Sequence, residues 1–163
     1  MRMEAEATHN VFFGLGSNQG NREENLRLAY QKIEKLIGRI VRQSAFIVTE
    51  PWGFQSSNSF LNSAICCETT LLPREILWRT QQIERELGRT QKSVNGIYHD
   101  RPIDIDILLY DDWTINEPDL RIPHPLMVQR NFVMRPLIEI LMMPPVNYNI
   151  QLNMKSHTEV GFR

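Results

Sequence analysis

The chain has 163 residues, of which 42% are hydrophobic and 23% charged, values typical of one globular domain that can bury a core. Its formal net charge of -1 provides no overall positive field, which argues against nucleic acid and anionic membranes as partners. There is no apolar run of roughly 18 residues and no charged-then-apolar leader. We therefore expect a single cytoplasmic domain over 1–163, in which the adjacent Cys66 and Cys67 fill a core or strand rather than form a disulfide framework.

Helix and strand periodicities alternate along the chain. After a flexible N-terminus at 1–9, the predicted elements are, in chain order, a strand at 11–15, a helix from about 22 to 37, strands at about 40–48 and 60–69, a helix from Pro73 to a stop at Gly88, a strand from Ile103 to a turn at Asp111-Asp112, a hairpin strand at 113–115 and a helix around 133–141. Asn21, followed by Glu24, is the capping signal of the first helix. A weakly structured tail is expected over about 145–163.

This order of elements, β-α-β-β-α-β with a final helix, is that of the ferredoxin-like α+β fold. The short connections and the adjacent second and third strands favour antiparallel pairing. We therefore expect an antiparallel sheet with helices on one face, an additional C-terminal helix, and ligands on the other face. Because this fold supports many functions, the function must be argued from the site.

Three segments between these elements are candidates for ligand contact. Gly14-Leu15-Gly16 lacks the Lys-Ser/Thr of a Walker A loop and the third glycine of a dinucleotide fingerprint, so a tight turn that brings backbone near a ligand fits better. The loop at 49–58 is either a lid that presents Trp52 or a segment whose Trp52 folds back onto the core. The cationic loop at 89–96 is either a phosphate-covering lid or a solvated loop.

Two aspartates on one strand carry the strongest chemical signal. From Ile103 to Ile107 isoleucine alternates with aspartate, so that Asp104 and Asp106 share one face of a β-strand. Aspartate is uncommon in strands, and two converging carboxylates repel each other by about 3 kcal/mol at an effective dielectric constant of about 20. A divalent cation would remove this repulsion, whereas on a solvated strand face the charges cost little. On the residues alone, a metal site and a solvated face both remain open.

Three further residues have both a functional and a structural interpretation. Arg101 precedes Pro102 and the aspartates, where its guanidinium suits a polyanionic ligand beside a cation or, alternatively, a surface salt bridge. Asn62 lies inside a strand, where it reads a ligand's hydrogen-bonding edge or bonds to neighbouring backbone, and the structural role is favoured. His124 stands between two prolines, and one such histidine is more often structural than catalytic.

These residues and their order resemble the 6-hydroxymethyl-7,8-dihydropterin pyrophosphokinase family. The resemblance runs from about Phe12 to Leu141 and is carried by six motifs in the family's order and spacing. The motifs are Gly-Leu-Gly-Ser-Asn at 14–18, Thr49 to Pro51, Phe60-Leu61-Asn62, Glu84 with Gly88-Arg89, Asp100 to Tyr110, and Pro123-His124-Pro125 with Arg130-Asn131-Phe132. The resemblance implies an ATP-dependent pyrophosphokinase of folate biosynthesis, which produces AMP and the pterin pyrophosphate by in-line attack on the β-phosphorus without a covalent enzyme intermediate.

The resemblance also implies roles for individual residues, with ATP and the pterin as small-molecule partners of a protein that we expect to be a monomer. Asp104 and Asp106 would hold two Mg²⁺ ions, and Arg89 and Arg101 would stabilise phosphate charge in the transition state. The implied pterin-binding residues are Thr49, Trp52, Phe60, Asn62 and Phe132. The implied ATP-binding residues are Gln81, Glu84, Lys92, Tyr98, Ile107, Arg121, His124 and Arg130.

The chain departs from the family pattern near the expected triphosphate site. Where many members have Trp-Gly-Pro-Arg, this chain has Tyr98-His99-Asp100-Arg101, and the added acid would be unhelpful there unless it points away. Gln91 stands where some members have a second lid arginine, and Lys92 or Arg121 is a candidate substitute for that arginine. Glu50 and Trp52 change the loop on the pterin side, and Pro125 replaces an aromatic residue that some members have after the histidine. None of these changes touches the two aspartates.

Two other functions share parts of this pattern. A two-metal phosphohydrolase or nuclease would use the same aspartates, but no further carboxylates or histidines form a clear ligand cluster near them. A non-catalytic ferredoxin-like module, for example for RNA, would need a basic surface and an aromatic sheet motif, and the chain shows neither. Dependence of activity on Asp104 and on Mg²⁺ would separate the three functions.

Overall fold

The fold is built on a five-stranded antiparallel sheet in the structure, a computed structural model that describes residues 6–50, 58–88 and 100–143. The elements are β1 (His9–Ser17), α1 (Arg22–Leu36), β2 (Arg39–Gln43), β3 (Ile47–Thr49), β4 (Phe60–Thr69), α2 (Pro73–Glu86), β5 (Asp104–Tyr110), β6 (Ile115–Glu117), β7 (Leu120–Ile122), a short 3₁₀ helix (Met127–Gln129) and α3 (Asn131–Leu141). The strand order is β2-β4-β1-β5, β3 also pairs with β4, and β6 and β7 form a separate hairpin. This topology confirms the predicted ferredoxin-like α+β fold.

Two helices cover one face of the sheet and form the main core with it. The Asn21 side chain caps α1 by accepting a hydrogen bond from the Glu24 backbone N–H at 3.1 Å, as predicted. Pro73 stands in the first turn of α2, where its missing N–H costs no hydrogen bond. Both helices bury an apolar stripe, represented by Ile33 and Ile83, against the odd-numbered residues of β1. In the part of the chain that the structure describes, no helix is both long and apolar enough to span a membrane.

The opposite face of the sheet is shared between α3 and an open cleft. Val133, Leu137 and Ile140 of α3 pack against Cys66 in β4 and Leu108 in β5. We expected this face to be available to ligands, but the apolar surface of its residues 64, 66 and 108 is covered by α3. The cleft therefore occupies only the part of the face near the start of β4 and β5.

A β-bulge in β5 divides that strand into two parts. Gly16 pairs with Asp104 and Gly14 with Asp106, but the register shifts after Phe13, so that Leu108 has no partner residue in β1. The extra residue brings Tyr110 to the helix side, where it is fully buried and its hydroxyl donates to the Leu71 carbonyl at 2.9 Å.

Two strand predictions differ from the structure because of specific hydrogen bonds. The predicted strand at about 40–48 is two strands. The hydroxyl of the buried Ser44 accepts a hydrogen bond from the Ala64 backbone N–H at 2.9 Å, whereas in a continuous strand a backbone carbonyl would accept it. The chain therefore leaves the ladder at Ser44 and rejoins it at Ile47. The first strand runs from His9 to Ser17 rather than from 11 to 15, because it is central and pairs with a neighbour on each side.

Two other predictions concern the ends and turns of the chain. The predicted turn at Gly14-Leu15-Gly16 is wrong, since these residues lie within β1. The hairpin strand predicted at 113–115 is found at Ile115–Glu117, while Trp113 packs against the ring of Tyr110 with centroids 4.8 Å apart. The C-terminal tail, the loop at 89–96 and most of the loop at 49–58 lie outside the described residues.

Candidate active site

A cleft of about 520 Å³ opens on the α3 side of the sheet. It is bounded by β1, β4 and β5, by the end of β3 and by the start of α3. The lining residues are Gly14, Leu15, Gly16, Thr49, Glu50, Phe60, Asn62, Ser63, Arg101, Asp104, Asp106, Arg130, Phe132 and Val133. Eight of the predicted site residues are therefore brought to one place: Thr49, Phe60, Asn62, Arg101, Asp104, Asp106, Arg130 and Phe132.

Asp104 and Asp106 both reach this cleft from β5. They alternate with Ile105 and Ile107, which are buried on the helix side, so the strand period places both carboxylates on the ligand side. Among the described residues, no group of three or more His, Cys, Asp or Glu side chains could hold a metal ion. A pair of carboxylates without a protein cage suits Mg²⁺, which keeps several waters and binds substrate phosphates in addition to one or two carboxylates.

Gly14 and Gly16 form the floor of the cleft, so no side chain covers this part of the sheet. They lie in β1 between the aspartates of β5 and the residues of β4, since Gly16 pairs with Asp104 on one side and with Asn62 on the other. A Cβ atom at Gly16 would lie 2.7 Å from Asn62 Oδ1 and 3.3 Å from Phe60 Cδ1. The glycine therefore allows the asparagine and the phenylalanine to stand close to the floor.

Arg101 brings a positive charge to the aspartates. Its guanidinium Nη2 lies 3.8 Å from Asp104 Oδ2, and its Cζ lies 5.0 Å from the ring centroid of Phe60. The residue is only 9% exposed, so its charge acts in a partly desolvated environment where electrostatic interactions are stronger than in bulk water. One guanidinium here stands beside two carboxylates, so an anionic group could bind Arg101 at this side of the cleft once a cation offsets the charge of Asp104 and Asp106.

The start of α3 supplies a second arginine and a second aromatic ring. The Cζ atom of Arg130 lies 5.8 Å from the ring centroid of Phe132, and Arg130 is 7% exposed. Phe60 and Phe132 thus line the same cleft, each in contact with a guanidinium. Two rings in a cleft can hold a flat heteroaromatic ligand by stacking while the arginines bind its anionic part.

Asn62 presents an amide to the cleft from the middle of this aromatic region. It is 3% exposed and its Nδ2 donates to the Thr49 hydroxyl, a contact that orients the side chain. Beneath this part of the cleft, the Tyr30 hydroxyl donates to Ser63 Oγ at 2.6 Å. Burial raises the pKa of Tyr30 to about 12, so the phenol is neutral at physiological pH and acts as a donor.

Five of the predicted ATP-binding residues lie outside the cleft wall. Glu84 is buried, and its Oε2 accepts a hydrogen bond from the Ile105 backbone N–H at 2.8 Å. The Ile107 side chain belongs to the helix-side core, and the His124 ring accepts the Leu126 N–H at 3.3 Å. The other two residues are Gln81, half-buried on α2, and Arg121, exposed on β7. Trp52, Arg89, Lys92 and Tyr98 lie outside the described residues.

A polar junction that was not predicted from the sequence lies beside the cleft. The Asp100 carboxylate accepts hydrogen bonds from Asn18 Nδ2 at 2.7 Å and from Asn58 Nδ2 at 3.1 Å. The departure of Asp100 from the family pattern was the available signal, and it predicted an unhelpful charge unless the carboxylate points away from the triphosphate site. In the structure Asp100 is not among the residues that line the cleft, and its two oxygens point to the two amides.

Comparisons with known proteins agree on one family. Residues 12–142 match a family model described as 7,8-dihydro-6-hydroxymethylpterin-pyrophosphokinase (HPPK). A 2-amino-4-hydroxy-6-hydroxymethyldihydropteridine pyrophosphokinase from Porphyromonas gingivalis is 50% identical over 131 residues, which cover 80% of this chain and 89% of the relative. The enzyme of the same name from Aquifex aeolicus is 39% identical over 130 residues, 80% of this chain and 79% of the relative.

Solved structures show the same fold at lower identity. The wild-type HPPK-DHPS protein of Plasmodium falciparum aligns with a TM-score of 0.67 and 17% sequence identity. The alignment covers 90% of this chain and 44% of that chain, so this chain spans less than half of the longer protein. The likeness supports the ferredoxin-like arrangement of the sheet and helices.

Proposed function

The chain belongs to the 7,8-dihydro-6-hydroxymethylpterin-pyrophosphokinase family, and we propose that the cleft beside α3 is its active site. The enzyme transfers pyrophosphate from ATP to the hydroxymethyl group of 6-hydroxymethyl-7,8-dihydropterin in folate synthesis, as the resemblance implied. The observation that carries the assignment of the site is that Asp104, Asp106 and Arg101 meet two aromatic rings in one cleft.

We propose that Asp104 and Asp106 hold two Mg²⁺ ions together with the phosphates of ATP. When bound, Mg²⁺ neutralises phosphate oxygens and polarises the group that is transferred. The two carboxylates fit this role, since they face the cleft on one strand and leave the remaining coordination positions to water and phosphate. The glycines opposite them in β1 leave the phosphate chain room to approach.

The pterin is proposed to bind at the Asn62 end of the cleft. Its ring would stack between Phe60 and Phe132, and its polar edge would be read by the amide of Asn62 and by Thr49, which orients that amide. Trp52 stays a prediction for this part of the site. The chemistry of a flat, strongly hydrogen-bonding heterocycle matches a cleft that combines aromatic faces with one fixed amide.

The arginines are proposed to bind the phosphates and stabilise the transition state. Arg101 lies beside Asp104, at the position where negative charge would accumulate during attack on the β-phosphorus. Arg130 would bind ATP from α3, whereas Arg89, Lys92 and Tyr98 remain predictions from the family pattern. A contact between ATP and Ile107 would use the backbone, because its side chain is in the core.

The remaining predicted ATP contacts are proposed to surround the cleft. Gln81, Arg121 and His124 would approach the nucleotide from α2 and from the segments after β5, outside the wall that the described residues form. An ATP contact of Glu84 stays a prediction from the family pattern, since its buried carboxylate accepts the Ile105 N–H. We further propose that the enzyme acts as a monomer, which is supported by the assembly of the aspartates, arginines and aromatic rings within one chain.

Substitution of the aspartates tests the site. We expect Asp104→Asn and Asp106→Asn each to lower turnover by roughly 10²–10³-fold or more, because the phosphates lose their metal ligands while the side-chain volume is retained. Phosphorus NMR of ATP, Mg²⁺ and 6-hydroxymethyl-7,8-dihydropterin measures AMP and the new diphosphate ester directly. Asp112→Asn, an exposed aspartate in the turn after β5, is the matched control and should leave turnover unchanged.

The outcomes distinguish the elements of the proposal. Wild-type turnover to ADP would place the attack on the γ-phosphorus, against the proposal. Retained activity in both aspartate variants would reject the metal assignment. Circular dichroism and thermal unfolding of each variant establish that the loss of turnover occurs in a folded protein.

A further inference from the structure

The Asn18 side chain and backbone clamp the residues that precede β5. Asn18 Oδ1 accepts a hydrogen bond from the Arg101 backbone N–H at 2.7 Å, and the Asn18 backbone N–H donates to the Arg101 carbonyl at 3.1 Å. Asn18 Nδ2 donates to Asp100 Oδ1 at 2.7 Å. Asn18 is 2% exposed, so these three bonds are formed in a buried environment where an unsatisfied polar group is costly.

The clamp is itself anchored to two other elements. Asp100 Oδ2 accepts a hydrogen bond from Asn58 Nδ2 at 3.1 Å, which ties the clamp to the segment before β4. The next residue of that segment, Ser59, is held by Arg22 from the start of α1, with bonds of 3.0 Å to the carbonyl and 2.7 Å to the hydroxyl. The ends of β1, of the segment before β4 and of the segment before β5 are thus fixed to one another.

We propose that Asn18 and Asp100 are a positioning pair that sets the guanidinium of Arg101 for phosphate transfer. The inference rests on the role proposed for Arg101. Asn18 holds the Arg101 backbone at both its N–H and its carbonyl, and Asp100 fixes the Asn18 amide that accepts the N–H. The Arg101 side chain extends from this anchor to Phe60 and Asp104. A misplacement of about 1 Å in a catalytic group can cost about 10²-fold in rate, so a firm backbone anchor has a direct effect on turnover.

In this proposal the charged carboxylate of Asp100 serves to accept two hydrogen bonds, from the amides of Asn18 and Asn58. A carboxylate can accept from both amide groups that face it, whereas an asparagine amide at position 100 offers one acceptor and one donor. Asp100→Asn therefore breaks one of the two bonds without changing the size of the side chain. If the negative charge merely repelled ATP, the same substitution would improve the KM for ATP.

The test compares Asn18→Ala and Asp100→Asn with wild type in the full chain. We expect kcat to fall by about 10- to 100-fold while the KM for the pterin stays within about twofold, since neither residue lines the pterin end of the cleft. Asn25→Ala is the control for loop order, because Asn25 Nδ2 bonds Ser17 Oγ at 3.2 Å and the Gln19 carbonyl at 2.9 Å without touching Arg101. It should retain the wild-type kcat.

A double-substitution cycle with Arg101 shows whether the pair acts through that residue. Arg101→Ala should abolish most of the rate, and adding Asn18→Ala or Asp100→Asn to it should cause no further loss of kcat. An additional loss of the same size as in the wild-type background would overturn the proposal, as would unchanged kcat in the single variants or a lower KM for ATP in Asp100→Asn.

The failure of the proposed function gives a different result. Unchanged turnover in Arg101→Ala would reject the catalytic role of Arg101 itself, whatever the effect of the pair. If Asn18→Ala does not fold, the Asp100→Asn arm of the cycle alone supports or rejects the pair, because that side chain is in a less buried position.

Discussion

At the scale of single residues, the shape of the cleft depends on glycines as much as on its functional side chains. Gly14 and Gly16 stand opposite Asp106 and Asp104, and their backbone forms the floor between the aspartates and β4. Neither glycine has a positive φ, so their role is to provide space rather than a special backbone conformation. Glycine is favoured at both positions because they face the cleft, where a side chain would occupy the space.

Gly16→Ala should weaken pterin binding. Its new Cβ would lie 2.7 Å from Asn62 Oδ1, so the amide must move away from the edge that it is proposed to read. We expect the dissociation constant for the pterin, measured by calorimetry, to rise by about tenfold, which corresponds to about 1.4 kcal/mol.

Gly14→Ala is the matched control in the same strand. A Cβ there would lie 3.4 Å from the nearest atom of Leu108, which is an ordinary van der Waals distance. This variant should bind the pterin as wild type does. Equal weakening by both alanines would contradict the steric role assigned to Gly16.

The residues of the site differ in how far sequence could predict them. Asp104 and Asp106 were predictable, since alternation with isoleucine is a local signal that survives into the structure. The contact between Asn18 and Asp100 was not predictable, because the two residues are 82 positions apart and meet only when β1 and β5 pair. For Asn62 a structural role was favoured, and the structure shows a hydrogen bond to Thr49. Asn62 also lines the cleft, so both interpretations of this residue apply.

At the scale of elements, β5 shows the limit of pattern reading. Simple alternation would place Tyr110 on the same face as the aspartates, six and four positions earlier. The bulge at Leu108 reverses this, and Tyr110 enters the helix-side core. A bulge depends on the pairing of two strands, and no property of β5 alone predicts it.

The contact between α2 and β5 should contribute measurably to stability. Glu84 accepts the Ile105 backbone N–H, which lies between the two aspartates in sequence. Glu84→Ala leaves this buried donor without that acceptor, so we expect the free energy of unfolding in urea to fall by about 1–3 kcal/mol. Glu84→Gln retains an acceptor oxygen and should recover a large part of the loss.

Glu86→Ala provides the control on the same helix. Glu86 forms a solvent-exposed ion pair with Lys32 at 2.7 Å, and such pairs contribute little to stability. If Glu84→Ala and Glu86→Ala changed the unfolding midpoint equally, the contact with Ile105 would have no special weight.

At the scale of the whole molecule, the order of helices and strands was sufficient to predict the topology. Amphipathic periods, the Asn21 cap and Pro73 marked the helices correctly. The placement of α3 over part of the second face could not be predicted in the same way, because its apolar stripe is equally compatible with any exposed apolar surface. The break in the second strand depends on the Ser44 hydroxyl, whose partner Ala64 lies in another strand.

The buried titratable groups predict a loss of stability at alkaline pH. Burial raises the pKa of Cys66 to about 11 and that of Cys67 to about 12, from an ordinary value of 9.0. Because the unfolded chain releases these protons at lower pH than the folded protein, the contribution to stability is complete below about pH 9 and is lost as the pH rises towards about 11 to 12. The urea midpoint of unfolding should be nearly the same at pH 7 and pH 9 and lower at pH 10.5.

Substitution of both thiols isolates their part in this slope. Cys66→Ala with Cys67→Ala lowers stability at all pH values by the loss of packing, but the decline above pH 9 should become shallower. A decline as steep as in wild type would assign the alkaline slope to other groups, of which Tyr30 and Tyr110, each with a pKa raised by burial to about 12, are the next candidates.

The bare floor of the cleft also determines how the enzyme would respond to selection by an inhibitor. A compound that lies flat on Gly14 and Gly16 contacts backbone atoms, which point mutations leave in place. A side chain introduced at Gly16 would displace Asn62. Such a variant would weaken the binding of the pterin substrate as well as the binding of the inhibitor. By contrast, a compound that depends on the exposed Glu50 at the rim could be evaded by many substitutions. Drug resistance should therefore arise at the rim of this cleft long before it arises at the floor.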